Sequence, residues 1–148
     1  MDKPYEHSFN KILVGLDHSE QTDAVVIAAS AYLARELRAL VEVVTVINVP
    51  TNFAGNEMDG LPASDEEISL RENLRKLVHQ GFGEGAENIE IKVLHGDPAE
   101  RISEYAEYLG CDLIIVGSRA QGALRKTIFG SVSDSVAARS KISVLIVK

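Results

Sequence analysis

Short apolar runs alternate along this chain with longer stretches in which apolar residues recur every three or four positions. Lys11 to Leu16 (KILVGL) and Val41 to Val49 (VEVVTVINV) are runs of the first kind, and each predicts a buried strand. Between them, Ser19 to Arg38 repeats apolar residues at Val25, Ala28, Ala29, Tyr32 and Leu37, which predicts a helix buried on that face. Asp17, with Glu20 three residues on, gives this helix a capping start. Ser64 and Glu67 form a capping box for a second helix, whose stripe is Leu70, Leu74, Leu77 and Val78 and whose stop is Gly81. Ile89 to Leu94 predicts a third strand. Asp97, Pro98 and Glu100 then supply an N-cap, a proline at the first helical position and an acidic reach-back residue. That third helix buries Ile102, Tyr105, Ala106 and Leu109 and ends at Gly110. Asp112 to Val116 is the predicted fourth strand, Ser131 to Ser140 a short fourth helix, and Ile142 to Val147 (ISVLIV) the last strand.

Strands that alternate with helices and read as continuous apolar runs imply an α/β fold, a parallel sheet covered on both faces. Five strands in a chain of 148 residues predict a single three-layer domain over residues 1–148 with right-handed crossovers. The stretch Pro50 to Ala63 has no periodicity, and a connection of that length is either a functional flap or a mobile link.

Charge narrows the partners. A net charge of −7 argues against nucleic acid and against an anionic membrane, both of which need clustered Lys and Arg. No apolar run approaches a membrane span and the first residues form no apolar leader, so a cytoplasmic location is expected. The single cysteine, Cys111, sits at the entrance of an apolar strand and is expected to be a buried structural thiol. His7, His18, His79 and His95 show no ligand spacing, and no metal site is expected of them.

Ligands of a parallel sheet sit beyond the carboxyl ends of strands where the winding reverses. Two strand ends carry unusual residues: Gly15-Leu16-Asp17 after the first strand, and Val116 to Ala120 after the fourth. At Gly117-Ser118 the backbone can turn its N–H groups outward, and Gly130-Ser131 places free N–H groups and a hydroxyl at the positive end of a helix. Such an arrangement binds anions, phosphate chains above all. Arg119, Arg125 and Lys126 lie within this segment, against the sign of the whole chain, which suits a small anionic ligand better than a polymer. There is no G-x-x-x-x-G-K-[S/T] loop and no G-x-G-x-x-G after the first strand.

From Gly117 through Ala120 to Gly130-Ser131 the segment reads G-x-x-A-x9-G-S. Here the chain resembles the universal stress proteins, whose ATP-binding members show G-x-x-G-x9-G-[S/T] after the fourth strand. The resemblance extends over ILVGLDHSE, GDPAERI, CDLIIVGSR and GSVSDSVAARSKISVLIV, essentially the whole chain in order. The resemblance implies an adenine-nucleotide alpha-hydrolase-like, Rossmann-like architecture. It also implies that Asp17, with Gly15 and Leu16 beside it, approaches the nucleoside end of ATP and that Val46 packs on the adenine. Val116, Gly117, Ser118, Arg119, Ala120 and Gly122 would wall the ribose and phosphates, and Gly130, Ser131, Val132 and Ser133 would form the phosphate-binding helix start. Ala120 replaces the family's second glycine, and Gly122 follows two residues on.

The function so implied is a cytoplasmic ATP-binding regulatory or stress-response module. It would use Mg²⁺ or Mn²⁺ held mainly through the phosphates, and form a homodimer through the closing strand Ile142 to Val147. A dimeric interaction protein of the same fold that binds no nucleotide, and a slow ATPase, are the alternatives; no residue stands out as a general base. Ordinary roles also exist for these residues: Asp17 can cap a helix, Ser131 and Ser133 can occupy a first turn, and Gly117 can be a packing glycine.

Overall fold

The computed structural model describes residues 7–48, 62–118 and 131–148, with Ser131 described in its backbone alone. Its strands are β1 (Lys11–Leu16), β2 (Leu40–Ile47), β3 (Ile91–His95), β4 (Leu113–Gly117) and β5 (Ser143–Val147). They alternate with α1 (Glu20–Leu37), α2 (Asp65–Phe82), α3 (Pro98–Leu109) and α4 (Ser131–Arg139), with a short 3₁₀ turn at Ala86–Asn88. All pairings are parallel, in the order β3-β2-β1-β4-β5. The expected α/β three-layer architecture is therefore the observed one. Chain order runs outward from β1 through β2 to β3, then returns to β4 on the other side of β1, so the winding reverses between β1 and β4.

Each sheet face carries its own core. Ile12, Val14, Leu16, Val43 and Ile115 pack with Val26 and Ile27 of α1 and Leu74 and Val78 of α2. On the opposite face Leu13, Val44, Val46, Ile114 and Val116 pack with Ala99, Ile102 and Ala106 of α3 and Val136 of α4. Successive strand residues supply alternate faces, which is why Ile12 to Leu16 is apolar throughout.

The buried face of α1 differs from the expected one. Val25, Tyr32 and Leu37 are 50%, 61% and 39% exposed, whereas Asp23, Val26, Ile27, Ser30, Ala31 and Ala34 are buried. Two stripes compete on this helix, and the buried one contains two polar residues. Internal hydrogen bonds make it tolerable: Ser30 Oγ donates to the Val26 carbonyl at 2.7 Å and Asp23 Oδ1 accepts from the Asp17 N–H at 2.9 Å.

Helix boundaries show where local chemistry was misplaced. The N-cap of α1 is Ser19, without a side-chain capping bond, while Asp17 Oδ1 accepts from the Ser19 N–H at 3.0 Å and so closes a turn before the helix. Ser64 Oγ does cap α2 through the Glu67 N–H at 3.2 Å, but the Glu67 carboxylate pairs with His95 Nε2 at 2.5 Å. Gly81 is not the stop of α2, which continues to Phe82 and ends at Gly83 with φ 67°. The place a Gly81 Cβ would take is occupied by Ile27 Cγ2, so this glycine lets α1 and α2 approach. The capping predicted for α3 is found, with Asp97 Oδ2 accepting from the Glu100 N–H at 3.0 Å and Gly110 in the left-handed region. β2 ends at Ile47, short of Val49, and β3 starts at Ile91, past Ile89. Most of the Pro50 to Ala63 connection lies outside the described residues.

Candidate functional site

The carboxyl ends of the parallel strands share one rim of the sheet, and the reversal between β1 and β4 sits at its centre. Gly15 is in register with Val44 on one side and Val116 on the other, and Val116 with Ile146 beyond it. The two strand ends singled out in the sequence are thus neighbours, and Asp17 stands two residues past Gly15, which shares its row with Val116. Val46 and Val116 belong to the cluster under α3 and α4 and are buried. Gly15 lies on the same face, where a Cβ would stand 3.0 Å from Val116 Cγ1 and 3.2 Å from Ile102 Cδ1, so close packing already uses its missing side chain. Leu16 points to the opposite face, and its carbonyl accepts from the buried Thr45 Oγ1 at 3.0 Å.

Gly117 serves packing as well. A side chain there would meet Thr22 and Val26 of α1. Beyond it the Ser118 N–H donates to the Val147 carbonyl at 2.9 Å, so this amide is held by the neighbouring strand. On α4, Val132 is half-buried and Ser133 only 1% exposed, so the Ser133 side chain is enclosed by the chain itself. Arg119, Ala120, Gly122 and Gly130, with Arg125 and Lys126, lie outside the described residues.

Electrostatics at the rim centre on a residue the periodicity did not single out. Asp23 is 1% exposed and accepts the Asp17 N–H. Burial, reinforced by the Asp17 carboxylate, pushes its carboxyl up to about 8, although the hydrogen bond from Asp17 opposes this. His18 adopts φ 72° between the two, and burial lowers its pKa while Asp17 pulls it back. Placing Asp23 in phase with Ile27, Ser30 and Ala34 rather than with Val25 and Tyr32 is the signal that finds it. Thr45, inside the apolar β2, carried no such signal.

A groove of about 560 Å³ lined by His18, Ile47, Asp65, Glu66, Ser69, Leu70 and Asn73 flanks the rim on the α2 side. Its carboxylates, Asp65 and Glu66, have the wrong sign for a phosphate. A hollow of about 510 Å³ between Lys11, Leu40, Phe82 and Ile89 lies at the opposite end of the strands. Cys111 is buried, and its thiol is pushed up to about 11 by that burial, as befits a structural residue. Among the described residues no helix is long and apolar enough to cross a membrane.

The model of the universal stress protein family matches residues 8–148. The chain belongs to this family. Stress response protein NhaX of Bacillus subtilis (strain 168) is 31% identical, over 94% of this chain and 98% of that protein. The crystal structure of a universal stress protein in complex with cAMP aligns with a TM-score of 0.69 at 22% identity, covering 96% of this chain and 98% of the other. The universal stress protein from Archaeoglobus fulgidus in complex with dAMP aligns at 0.61 and 21% identity, covering 96% and 100%. At these identities the likeness is one of fold, and it gives this universal stress protein the Rossmann-like architecture of its relatives.

Proposed function

We propose that this universal stress protein binds an adenine nucleotide, ATP foremost, at the carboxyl ends of β1 and β4, and acts as a cytoplasmic regulatory module. The observation that carries the reading is the direct pairing of β1 with β4, Gly15 opposite Val116, which sets Asp17 and Gly117-Ser118 at the single reversal point of the sheet. Complexes of structural relatives with cAMP and dAMP support the same ligand class.

The residue roles are those that the family resemblance implies. Asp17, with Gly15 and Leu16 behind it, accepts from the nucleoside, and Val46 and Val116 supply apolar surface for the base and ribose. Gly117, Ser118, Arg119, Ala120 and Gly122 border the phosphates, and the helix start at Gly130, Ser131, Val132 and Ser133 receives them. Mg²⁺ or Mn²⁺ would be held chiefly by the phosphates; among the described residues no cluster of His, Cys, Asp or Glu could hold it. The edge position of β5 supports a homodimer through that strand.

Mass spectrometry of the small molecules released from freshly purified protein tests the reading. Recovery of a stoichiometric adenine nucleotide is the expected result. Protein that carries none and takes up none when incubated with ATP and Mg²⁺ would favour an interaction protein of the same fold.

A further inference from the structure

The turn between β1 and α1 is held from within the protein. The Asp17 N–H donates to Asp23 Oδ1 at 2.9 Å, Asp17 Oδ1 accepts from the Ser19 N–H at 3.0 Å, and the Asp23 N–H donates to the Ser19 carbonyl at 2.7 Å. Between them His18 occupies the left-handed region, φ 72°, which residues other than glycine enter only when their surroundings require it. Asp23 is the deepest member of this network. It is 1% exposed, and its Oδ2 has no hydrogen-bond partner among the described residues.

Among the described residues, the charged groups around Asp23 are few. Asp17 and His18 act on it from the turn, and Glu20 of its own helix and Lys76 of α2 line the same groove of about 310 Å³. Gly117, where β4 meets the first turn of α1, brings no charge.

We propose that Asp23 is a positioning residue for the strand-end site: protonated, it fixes the Asp17 turn, and on ionising it loosens that turn, so that nucleotide affinity falls on the alkaline side. The inference rests on the adenine-nucleotide reading above. A neutral carboxyl keeps its carbonyl oxygen as acceptor for the Asp17 N–H and loses less by enclosure of the other oxygen than a carboxylate does. An ionised carboxyl leaves a charged oxygen enclosed without a donor, beside the Asp17 carboxylate. Opening of the turn to water relieves both. The group changes state near pH 8, where burial has moved it.

Calorimetric affinities for Mg-ATP between pH 6.5 and 9.5, on wild type, Asp23→Asn and Asp23→Ala, test this, together with the Asp17 amide resonance in the nucleotide-free protein. Wild-type affinity should fall by about tenfold or more over the range. Asp23→Asn, neutral at every pH and still offering a carbonyl acceptor, should keep the acid-side affinity and lose this fall, which separates Asp23 from titration of His18 or of ATP. Asp23→Ala should bind about tenfold more weakly throughout, with circular dichroism reporting an intact fold. The Asp17 amide shift should titrate near pH 8 in wild type and not in Asp23→Asn. An Asp23→Asn protein with the wild-type pH profile overturns the proposal, as does a folded Asp23→Ala with wild-type affinity. A wild type that binds no adenine nucleotide at any pH overturns the functional reading and the affinity clause together; the amide titration then decides the positioning role by itself.

Discussion

Thr22 and Gly117 are in contact because residue 117 has no side chain: a Cβ there would stand 2.7 Å from Thr22 Cγ2, and 3.1 Å from Val26 Cγ2. The end of β4 thereby closes onto the first turn of α1, beside the turn that carries Asp17. Gly117→Ala is expected to cost about 1–3 kcal/mol by overpacking. Thr22→Ser, which removes the offending methyl, should recover part of that loss in the double variant, measured by urea unfolding. Equal stability of Gly117→Ala and wild type would show that the contact yields without cost.

Asp23 makes stability depend on pH. Its pKa is raised from 3.8 to about 8 in the folded chain, so the folded state keeps a proton that the unfolded state releases. The stabilisation is fully present below pH 3.8 and is lost as pH rises to about 8. Asp23→Asn removes this dependence, and at pH 8 it should have a higher urea midpoint than wild type and a flatter profile from pH 4 to 8. A lower midpoint at pH 8 would contradict the assignment.

The layered α/β architecture was legible because strands buried on both faces leave apolar runs and helix caps leave Ser, Asp, Pro and Gly at fixed offsets. Which face of α1 is buried was not legible. Its buried stripe includes Asp23 and Ser30: Ser30 bonds back to the Val26 carbonyl one turn before it, and Asp23 accepts the Asp17 N–H through Oδ1 while its Oδ2 has no partner among the described residues. Gly81 misled for a related reason, since its use is the approach of Ile27 from another helix. At the candidate site, Gly15, Asp17 and Gly117 could be singled out by residue type, and strand order then made them neighbours. Asp23, which holds the Asp17 turn, is announced only by its helical phase with Ile27, Ser30 and Ala34, and Thr45 acts on the Leu16 carbonyl through a tertiary hydrogen bond that no local spacing announces.

β5 is an edge strand whose Val144 and Ile146 are only half-buried. Pairing with a second copy would cover that edge. Val144→Lys or Ile146→Lys is expected to shift the protein from dimer to monomer in light scattering with secondary structure retained. A wild type that is monomeric at every concentration would refute the dimer.

Ser131 begins α4, the helix start that receives the phosphates in the proposed reading. Ser131→Ala should weaken ATP binding by about tenfold to a hundredfold, the loss of one hydrogen bond to a charged group. Adenosine affinity should change little. Equal losses for ATP and adenosine would mean that the phosphates do not rest on this helix start.

Calorimetric titration of the purified, nucleotide-free protein with ATP and Mg²⁺ tests the central claim most directly. The account predicts saturable binding of one ATP per chain in the micromolar range, about −8 kcal/mol, with Asp17→Ala binding markedly more weakly while still folded. No binding heat and no thermal shift at millimolar ATP would contradict it.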